Sequence, residues 1–212
     1  MSFQMLKKID HELKEYYGKN LGLNGAGAKG VGWKNEEAQF VRFAQLARLV
    51  TDSPFTINDL GCGVGDFINL LDNHFEHYQY FGYDVLQEMV SLAKEKFHSH
   101  PQVVFKQIGD ATGMQEADYT IASGIFNLRY SATDEEWLQY ITETLHQMNQ
   151  KSKKGFAFNA LTKYSDSEYM QPHLYYSDPL YLFDYCKRNF SKDVALLHDY
   201  QQYDFTILVR KY

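Results

Sequence analysis

Thr56-Ile57-Asn58-Asp59-Leu60-Gly61-Cys62-Gly63-Val64-Gly65-Asp66 runs from an apolar strand into a turn with glycine at every second position, and then into a helix start. Backbone can approach a bound molecule closely only where side chains are missing, and Gly61, Gly63 and Gly65 supply that condition. The next apolar run, Tyr80-Phe81-Gly82-Tyr83-Asp84, reads as a second strand ending in a carboxylate 23 positions after Gly61. An acid at that distance is placed to accept hydrogen bonds from the ribose hydroxyls of a nucleoside cofactor.

Outward from this centre the chain alternates between strand and helix periodicity. Strand Phe55–Leu60 leads to a helix over 66–74, a strand over 80–83, a helix over 86–97 and a strand over 103–108. A strand over 119–123, a helix over 134–148 and a strand over 155–161 follow, and Asp178-Pro179 then opens a helix with cap before proline. The last strands, 194–197 and 205–209, are joined by too few residues for a crossover helix, so they pair antiparallel. Upstream, Asn35 caps a helix whose apolar face is read as Phe40, Phe43, Ala44, Ala47 and Leu49. The expected fold is α/β: a doubly wound, mostly parallel seven-stranded sheet with an antiparallel last strand and helices on both faces. Residues 1–34 read as an amphipathic helix and a glycine-rich lid, and residues 35–212 as the main body of a single domain.

The chain has 212 residues, a net charge of −6 and only two cysteines, Cys62 and Cys186. The negative balance opposes general affinity for nucleic acid or anionic membrane. Two distant cysteines form neither a disulfide framework nor a metal cluster, and no apolar run approaches membrane-spanning length. A cytoplasmic protein without a metal is expected. The histidines at 74 and 77 and at 98 and 100 read as surface residues near element ends.

These motifs together resemble the class I S-adenosylmethionine-dependent methyltransferases, from about Asn35 to the C-terminus. The family's acid-x-Gly-x-Gly-x-Gly turn stands as Asp59-Leu60-Gly61-Cys62-Gly63-Val64-Gly65, its ribose acid as Asp84, followed by Val85. A third motif matches at Gly109-Asp110-Ala111, where the family holds the adenine, with Ile108 against the ring. A fourth runs from Ala117 to Gly124 and brings Ser123 toward the cofactor's sulfur. The resemblance implies S-adenosylmethionine as cofactor and an in-line methyl transfer to a substrate nucleophile. Alignment alone can lower such a barrier by roughly 7–11 kcal/mol in the best intramolecular cases, so a catalytic residue is hard to read.

Each assignment has a plainer counterpart. Asp84 can cap the following helix, Asp59 and Asp110 can be turn acids, and Arg42 either reaches the cofactor carboxylate or sits exposed on a polar face. Trp33 either closes over the site or staples a helix. His173 and Tyr130 are the candidate proton acceptors. Asn127, Arg129 and Tyr130 face the expected acceptor pocket, where Arg129 either orients a carboxylate or phosphate or pairs with Asp134 or Glu135. Tyr164, Tyr169, Tyr175 and Tyr176 offer an aromatic wall around an acceptor or pack the C-terminal helix.

The resemblance also limits the acceptor. The run Ser123-Gly124-Ile125-Phe126-Asn127-Leu128 lacks the Asn/Asp-Pro-Pro-aromatic element of exocyclic-amine methyltransferases, and no cysteine is placed for attack on cytosine carbon 5. The expected activity is methyl transfer to oxygen or nitrogen of a small molecule. A protein methyltransferase, a silent cofactor-binding subunit and a nicotinamide oxidoreductase are the alternatives. Asp66 stands where the dinucleotide pattern wants glycine, which weighs against the last.

Overall fold

The structure is a computed structural model that describes residues 35–212 together with residues 12, 13, 15, 16 and 18. The glycine-rich segment and Trp33 lie outside the described residues. Residues 12, 13, 15, 16 and 18 are helical.

Helices α1 (Glu36–Ala47), α2 (Phe67–His74), α3 (Gln87–Lys96), α4 (Asp134–Lys151) and α5 (Pro179–Asn189) alternate with strands β1 (Phe55–Leu60), β2 (Tyr78–Asp84), β3 (Val103–Gln107), β4 (Ala117–Ala122), β5 (Ser152–Leu161), β6 (Asp193–Leu197) and β7 (Asp204–Arg210). The seven strands form one sheet in the order β3-β2-β1-β4-β5-β7-β6. β1 pairs parallel with both β2 and β4, whereas β7 is antiparallel to β5 and to β6. This is the expected doubly wound sheet with its antiparallel strand inserted between β5 and β6. The strand order reverses between β1 and β4, so their carboxyl ends open a crevice suited to a ligand.

Alternation along the strands sends side chains to two cores. Phe156, Phe158 and Ala160 of β5 join Trp137, Ile141 and Leu145 of α4 and Leu182 and Cys186 of α5 on one face. Ile57 of β1 and Ala157 of β5 join Phe43 and Leu46 of α1, Phe67 and Leu71 of α2, and Val90 and Ala93 of α3 on the other. The two sets are the apolar faces that period-two strands must cover.

Several local readings are corrected by packing. The buried stripe of α1 is Ala38, Gln39, Arg42, Phe43 and Leu46, while Phe40 is half exposed. The stripe contains two polar residues because this helix face covers a cleft as well as the core. The cap of α4 is Thr133: it accepts from the Glu136 N–H, and the Glu136 carboxylate accepts in return from the Thr133 N–H at 2.9 Å. That reciprocal pair satisfies two donors at the helix start. Asn35 and Asp178 cap α1 and α5 as their positions predict.

Candidate active site

The carboxyl ends of β1, β2, β4 and β5 and the start of β7 surround a cleft of about 1750 Å³, bordered by α1, α4 and Tyr16. Its floor is the glycine turn. The N–H groups of Gly61 and Cys62 both donate to the Tyr83 carbonyl, at 2.8 and 3.0 Å, so the turn is tied to the end of β2. Gly61 has φ 76°, and a Cβ there would run into Ile125 across the crevice. A side chain at this position would therefore cost both conformational strain and space.

Asp84 closes the floor from the neighbouring strand. Its Oδ2 accepts from the Gly63 N–H at 3.0 Å and its Oδ1 from the Leu86 N–H at 2.9 Å. Burial raises its pKa, and the backbone N–H groups of Leu86, Gly63 and Val85 oppose that rise. A carboxylate has about four acceptor positions, so Asp84 retains capacity for hydroxyl donors from the cleft. The cap position of α3 is Leu86, without a side-chain cap, so Asp84 fixes the turn ahead of the helix and does not cap it.

Asp59 is fully buried and accepts from the Tyr80 hydroxyl at 2.7 Å. Burial pushes its pKa up to about 7; the Tyr80 hydrogen bond opposes this, and the charges of Asp84 and Asp66 add to it. Tyr80 is the residue that strand reading missed, because its hydroxyl matters only once β2 lies beside β1. Cys62 is buried in the same corner, and burial with the nearby acids raises its thiol pKa, which makes it an inert part of the wall.

At the end of β3, Ile108 is buried beside Gly109, whose face is open, and Asp110 accepts from the Thr112 N–H at 2.8 Å as the cap of a short turn, Ala111–Gly113. Tyr140 and Thr144 of α4 border the same end of the cleft. Burial raises the Tyr140 pKa, which Thr144 opposes through a hydrogen bond. Val85 and Ser123 also line the cleft, and the Ser123 hydroxyl accepts from Asn159 Nδ2 at 3.0 Å. Asn159 is wholly buried and its carbonyl oxygen takes the Gly124 N–H at 2.8 Å, so one β5 side chain fixes the end of β4.

Asp59, Gly61, Cys62, Gly63, Asp84, Val85, Gly109, Asp110, Ala111, Ser123 and Arg42 all border the cleft. Gly65 is not among them. It has φ 81°, and a Cβ would lie 2.9 Å from the Phe105 ring and 3.0 Å from that of Phe97. The third glycine thus serves packing of the α2 start against the Phe97 and Phe105 rings, off the cleft lining.

The acceptor side departs further from the sequence reading. Arg42 is buried and neither of its expected roles describes it. Its Nη2 pairs with Asp204 Oδ2, its Nε donates to the same oxygen at 2.9 Å, and its Nη1 donates to the Ala38 carbonyl at 2.7 Å. Arg129 is spent on loop carbonyls: Leu174 at 3.3 Å, Ala132 at 2.8 Å and Pro172 at 3.0 Å, with Asp134 at 3.4 Å. It pins the segment after β5 and does not line the cleft, so it holds no substrate anion there. Tyr164 and Tyr169 are exposed, Tyr175 packs on the core, and none of the four loop tyrosines lines the cleft. Among the described residues the aromatic lining comes from Tyr16, Trp137, Tyr140, Tyr200, Tyr203 and Phe43.

Of the two candidate proton acceptors, His173 is exposed and lines the cleft, whereas Tyr130 borders a shallow depression beside it, with Tyr16 and Ser131. Glu12 Oε2 accepts from the Ser131 hydroxyl at 3.1 Å, and the Tyr16 and Tyr130 rings meet edge to face at 6.2 Å. Among the described residues, no group of three or more His, Cys, Asp or Glu is arranged for a metal.

A parallel sheet reversing at β1 and β4, with a glycine turn and a strand-terminal acid at that reversal, defines a nucleotide-type cleft of the methyltransferase kind. Residues 57–151 match the methyltransferase domain family. Methyltransferase Rv1506c of Mycobacterium tuberculosis, so named without an established activity, is 51% identical over 158 residues, spanning 74% of this chain and 94% of that protein. Among solved structures, the fold is shared with magnesium protoporphyrin IX methyltransferase of Synechocystis PCC 6803 bound to S-adenosylhomocysteine, at 17% identity and TM-score 0.62 over 83% of this chain and 84% of that one. A DhpI–S-adenosylhomocysteine complex shares it at 11% identity and TM-score 0.64, over 98% and 97% of the two chains. The chain belongs to the class I S-adenosylmethionine-dependent methyltransferases. That membership sets aside the nicotinamide alternative.

Proposed function

We propose that this methyltransferase moves the methyl group to oxygen or nitrogen of a small molecule. The observation that carries the reading is the division of one cleft: a backbone-lined half over Gly61, Gly63 and Asp84 continues past Ser123 into a chamber bordered by Asn127, Leu161, His173, Tyr200 and Asp204. A cleft of about 1750 Å³ exceeds the roughly 300–1,000 Å³ of a single small-ligand pocket, which supports two ligands side by side.

The residues present fit S-adenosylmethionine. Asp84 has free acceptor capacity for ribose hydroxyls, the open face of Gly109 with Ile108 suits a flat purine, Asp110 stands at its rim, and Asp59 offers an acid toward the amino-acid end. The cofactor supplies a methyl activated on a sulfonium sulfur. The protein's part is to hold and orient it, exclude water with the aromatic lining, and take a proton where the acceptor must lose one. His173 is assigned that last role, since its side chain borders the chamber and that of Tyr130 does not.

The net charge of −6 supports a small acceptor over nucleic acid or a membrane surface. Among the described residues no helix is long and apolar enough to cross a membrane, and a cytoplasmic location is part of the same reading. The test is titration calorimetry with S-adenosylhomocysteine, followed by screening of small hydroxy and amino compounds with methyl-labelled S-adenosylmethionine. Binding followed by label in an O- or N-methyl product supports the reading; label only in protein or nucleic acid overturns it.

A further inference from the structure

The wall of the chamber beside His173 is apolar, and part of it comes from residues remote from the sheet. Leu128 and Leu174 are joined by an isolated antiparallel bridge, and both line the cleft. The Tyr175 N–H donates to the Asn127 carbonyl at 2.8 Å, and the Arg129 and Tyr130 N–H groups donate to the His173 carbonyl at 3.1 and 3.2 Å. The segments 124–131 and 171–176 are thereby tied into one edge along the crevice. Ile125, whose side chain a Cβ on Gly61 would meet, joins this edge to the glycine turn.

N-terminal residues complete the wall. Glu12, Leu13 and Tyr16 are helical and half-buried, and their spacing puts them on one helix face. Leu13 packs against the same core cluster as Ile125 and Tyr130, and both Leu13 and Tyr16 line the cleft. The face is seated by side chains: the Ser131 N–H and hydroxyl donate to Glu12 Oε2 at 3.4 and 3.1 Å, and the Tyr16 ring meets that of Tyr130 edge to face. Tyr130 holds a left-handed φ of 50°, a conformation that a side-chain-bearing residue keeps only where its surroundings enforce it. Glu12 and Glu15 border the outer depression and not the cleft, so the side chains this helix turns toward a ligand, Leu13 and Tyr16, carry no charge.

We infer that Leu13 and Tyr16 are specificity-determining residues: with Ile125, Leu128 and Leu174 they select an acceptor that carries an apolar ring and reject a polyhydroxylated one. The inference deepens the small-molecule reading above and rests on it. Glu12 is a positioning residue that seats the pair through Ser131. An apolar ring gains by the area it removes from water against these side chains, whereas a hydroxyl turned to the same wall loses its water without finding a partner.

The test uses the 212-residue chain saturated with S-adenosylhomocysteine. The probes are two ring alcohols, cyclohexanol and benzyl alcohol, and two polyols, myo-inositol and glycerol, with affinities from ligand-observed NMR. The ring alcohols should bind at least about tenfold more tightly than the polyols, a modest demand for one buried ring. Tyr16→Ala should weaken cyclohexanol at least about fivefold, while S-adenosylhomocysteine affinity stays within about twofold because its floor is a separate site. Tyr16→Phe keeps the ring and should restore cyclohexanol binding. Glu12→Ala should weaken cyclohexanol about threefold by unseating the face, and Glu12→Gln, which keeps an oxygen for the Ser131 donors, should recover it. Polyols binding as tightly as ring alcohols, no binding by any probe, or cyclohexanol affinity unchanged in Tyr16→Ala overturns the inference. So does a parallel loss of S-adenosylhomocysteine affinity in Tyr16→Ala, which would assign this wall to the cofactor. Equal loss in Glu12→Ala and Glu12→Gln overturns the positioning role. Failure of the wild type to bind S-adenosylhomocysteine sinks the small-molecule reading itself; binding it with a preference for myo-inositol sinks only the apolar wall.

Discussion

The two halves of the cleft are built by different means. Around Gly61 and Asp84 the bonds are short-range and use main chain: Gly61 and Cys62 to Tyr83, Gly63 and Leu86 to Asp84. Around Arg42 and Asp204 they join side chains 162 positions apart, while Asn127 takes the Leu161 N–H and Arg129 holds the carbonyls of 172 and 174. The first half can be set by one strand-turn-helix unit and its neighbour. The second exists only once α1, β5 and β7 have come together, which is also why it is free to differ in what it accepts.

The comparison breaks first at Arg42. Arg42→Met strands a buried carboxylate and should cost about 3–5 kcal/mol of unfolding free energy, measured by urea denaturation. A loss below about 1 kcal/mol would mean that the ion pair does not hold the acceptor half together. In the cofactor half the corresponding change acts on binding. Asp84→Ala removes acceptors for ligand hydroxyls and should weaken S-adenosylhomocysteine by about 1–3 kcal/mol in calorimetry; unchanged affinity would detach the ligand from this floor.

A third effect sharpens the contrast through pH. Asp59 has a folded pKa of about 7, above its ordinary value of 3.8. Between those values the folded protein keeps a proton that the unfolded chain has lost, so unfolding releases a proton and stability falls as pH rises from about 4 to about 7. The slope from this one group reaches at most about 1.4 kcal/mol per pH unit. Asp59→Asn should flatten the wild-type profile across that window, and two parallel profiles would show that Asp59 is not held protonated. The smallest effect is expected at His173, exposed on the chamber wall. His173→Gln should leave both stability and S-adenosylhomocysteine affinity within about 0.5 kcal/mol, and a larger change in either would give this loop a structural role.

Legibility followed the same division. The alternation of strands and helices, the antiparallel last pair and the glycine and acid motifs could be read because each is contiguous and its residue types follow from backbone needs: glycine for close approach, an acid at a strand end, proline after a cap. Gly65 shows the limit even there. Its alternation with Gly61 and Gly63 suggests one shared purpose, yet it meets Phe97 and Phe105, rings contributed by the end of α3 and by β3. Arg42 illustrates the larger difficulty: the period-3.6 reading put Phe40 inside and left Arg42 either reaching for a ligand or exposed, whereas the tertiary structure half exposes Phe40 and buries Arg42 in a pair with Asp204.

What the sequence determined by itself was the alternation of elements, the class I sheet and the acids and glycines gathered at the crevice where the strand order reverses, because those depend on interactions within one or two neighbouring segments. Tertiary structure alone decided that the Tyr80 hydroxyl meets Asp59, that Arg42 pairs with one oxygen of Asp204, and that the four loop tyrosines stay off the cleft while Tyr140, Tyr200 and Tyr203 line it. The physical reason is distance along the chain. Hydrogen bonds and charges between remote segments carry no periodicity, so their partners are fixed only when packing brings the segments together.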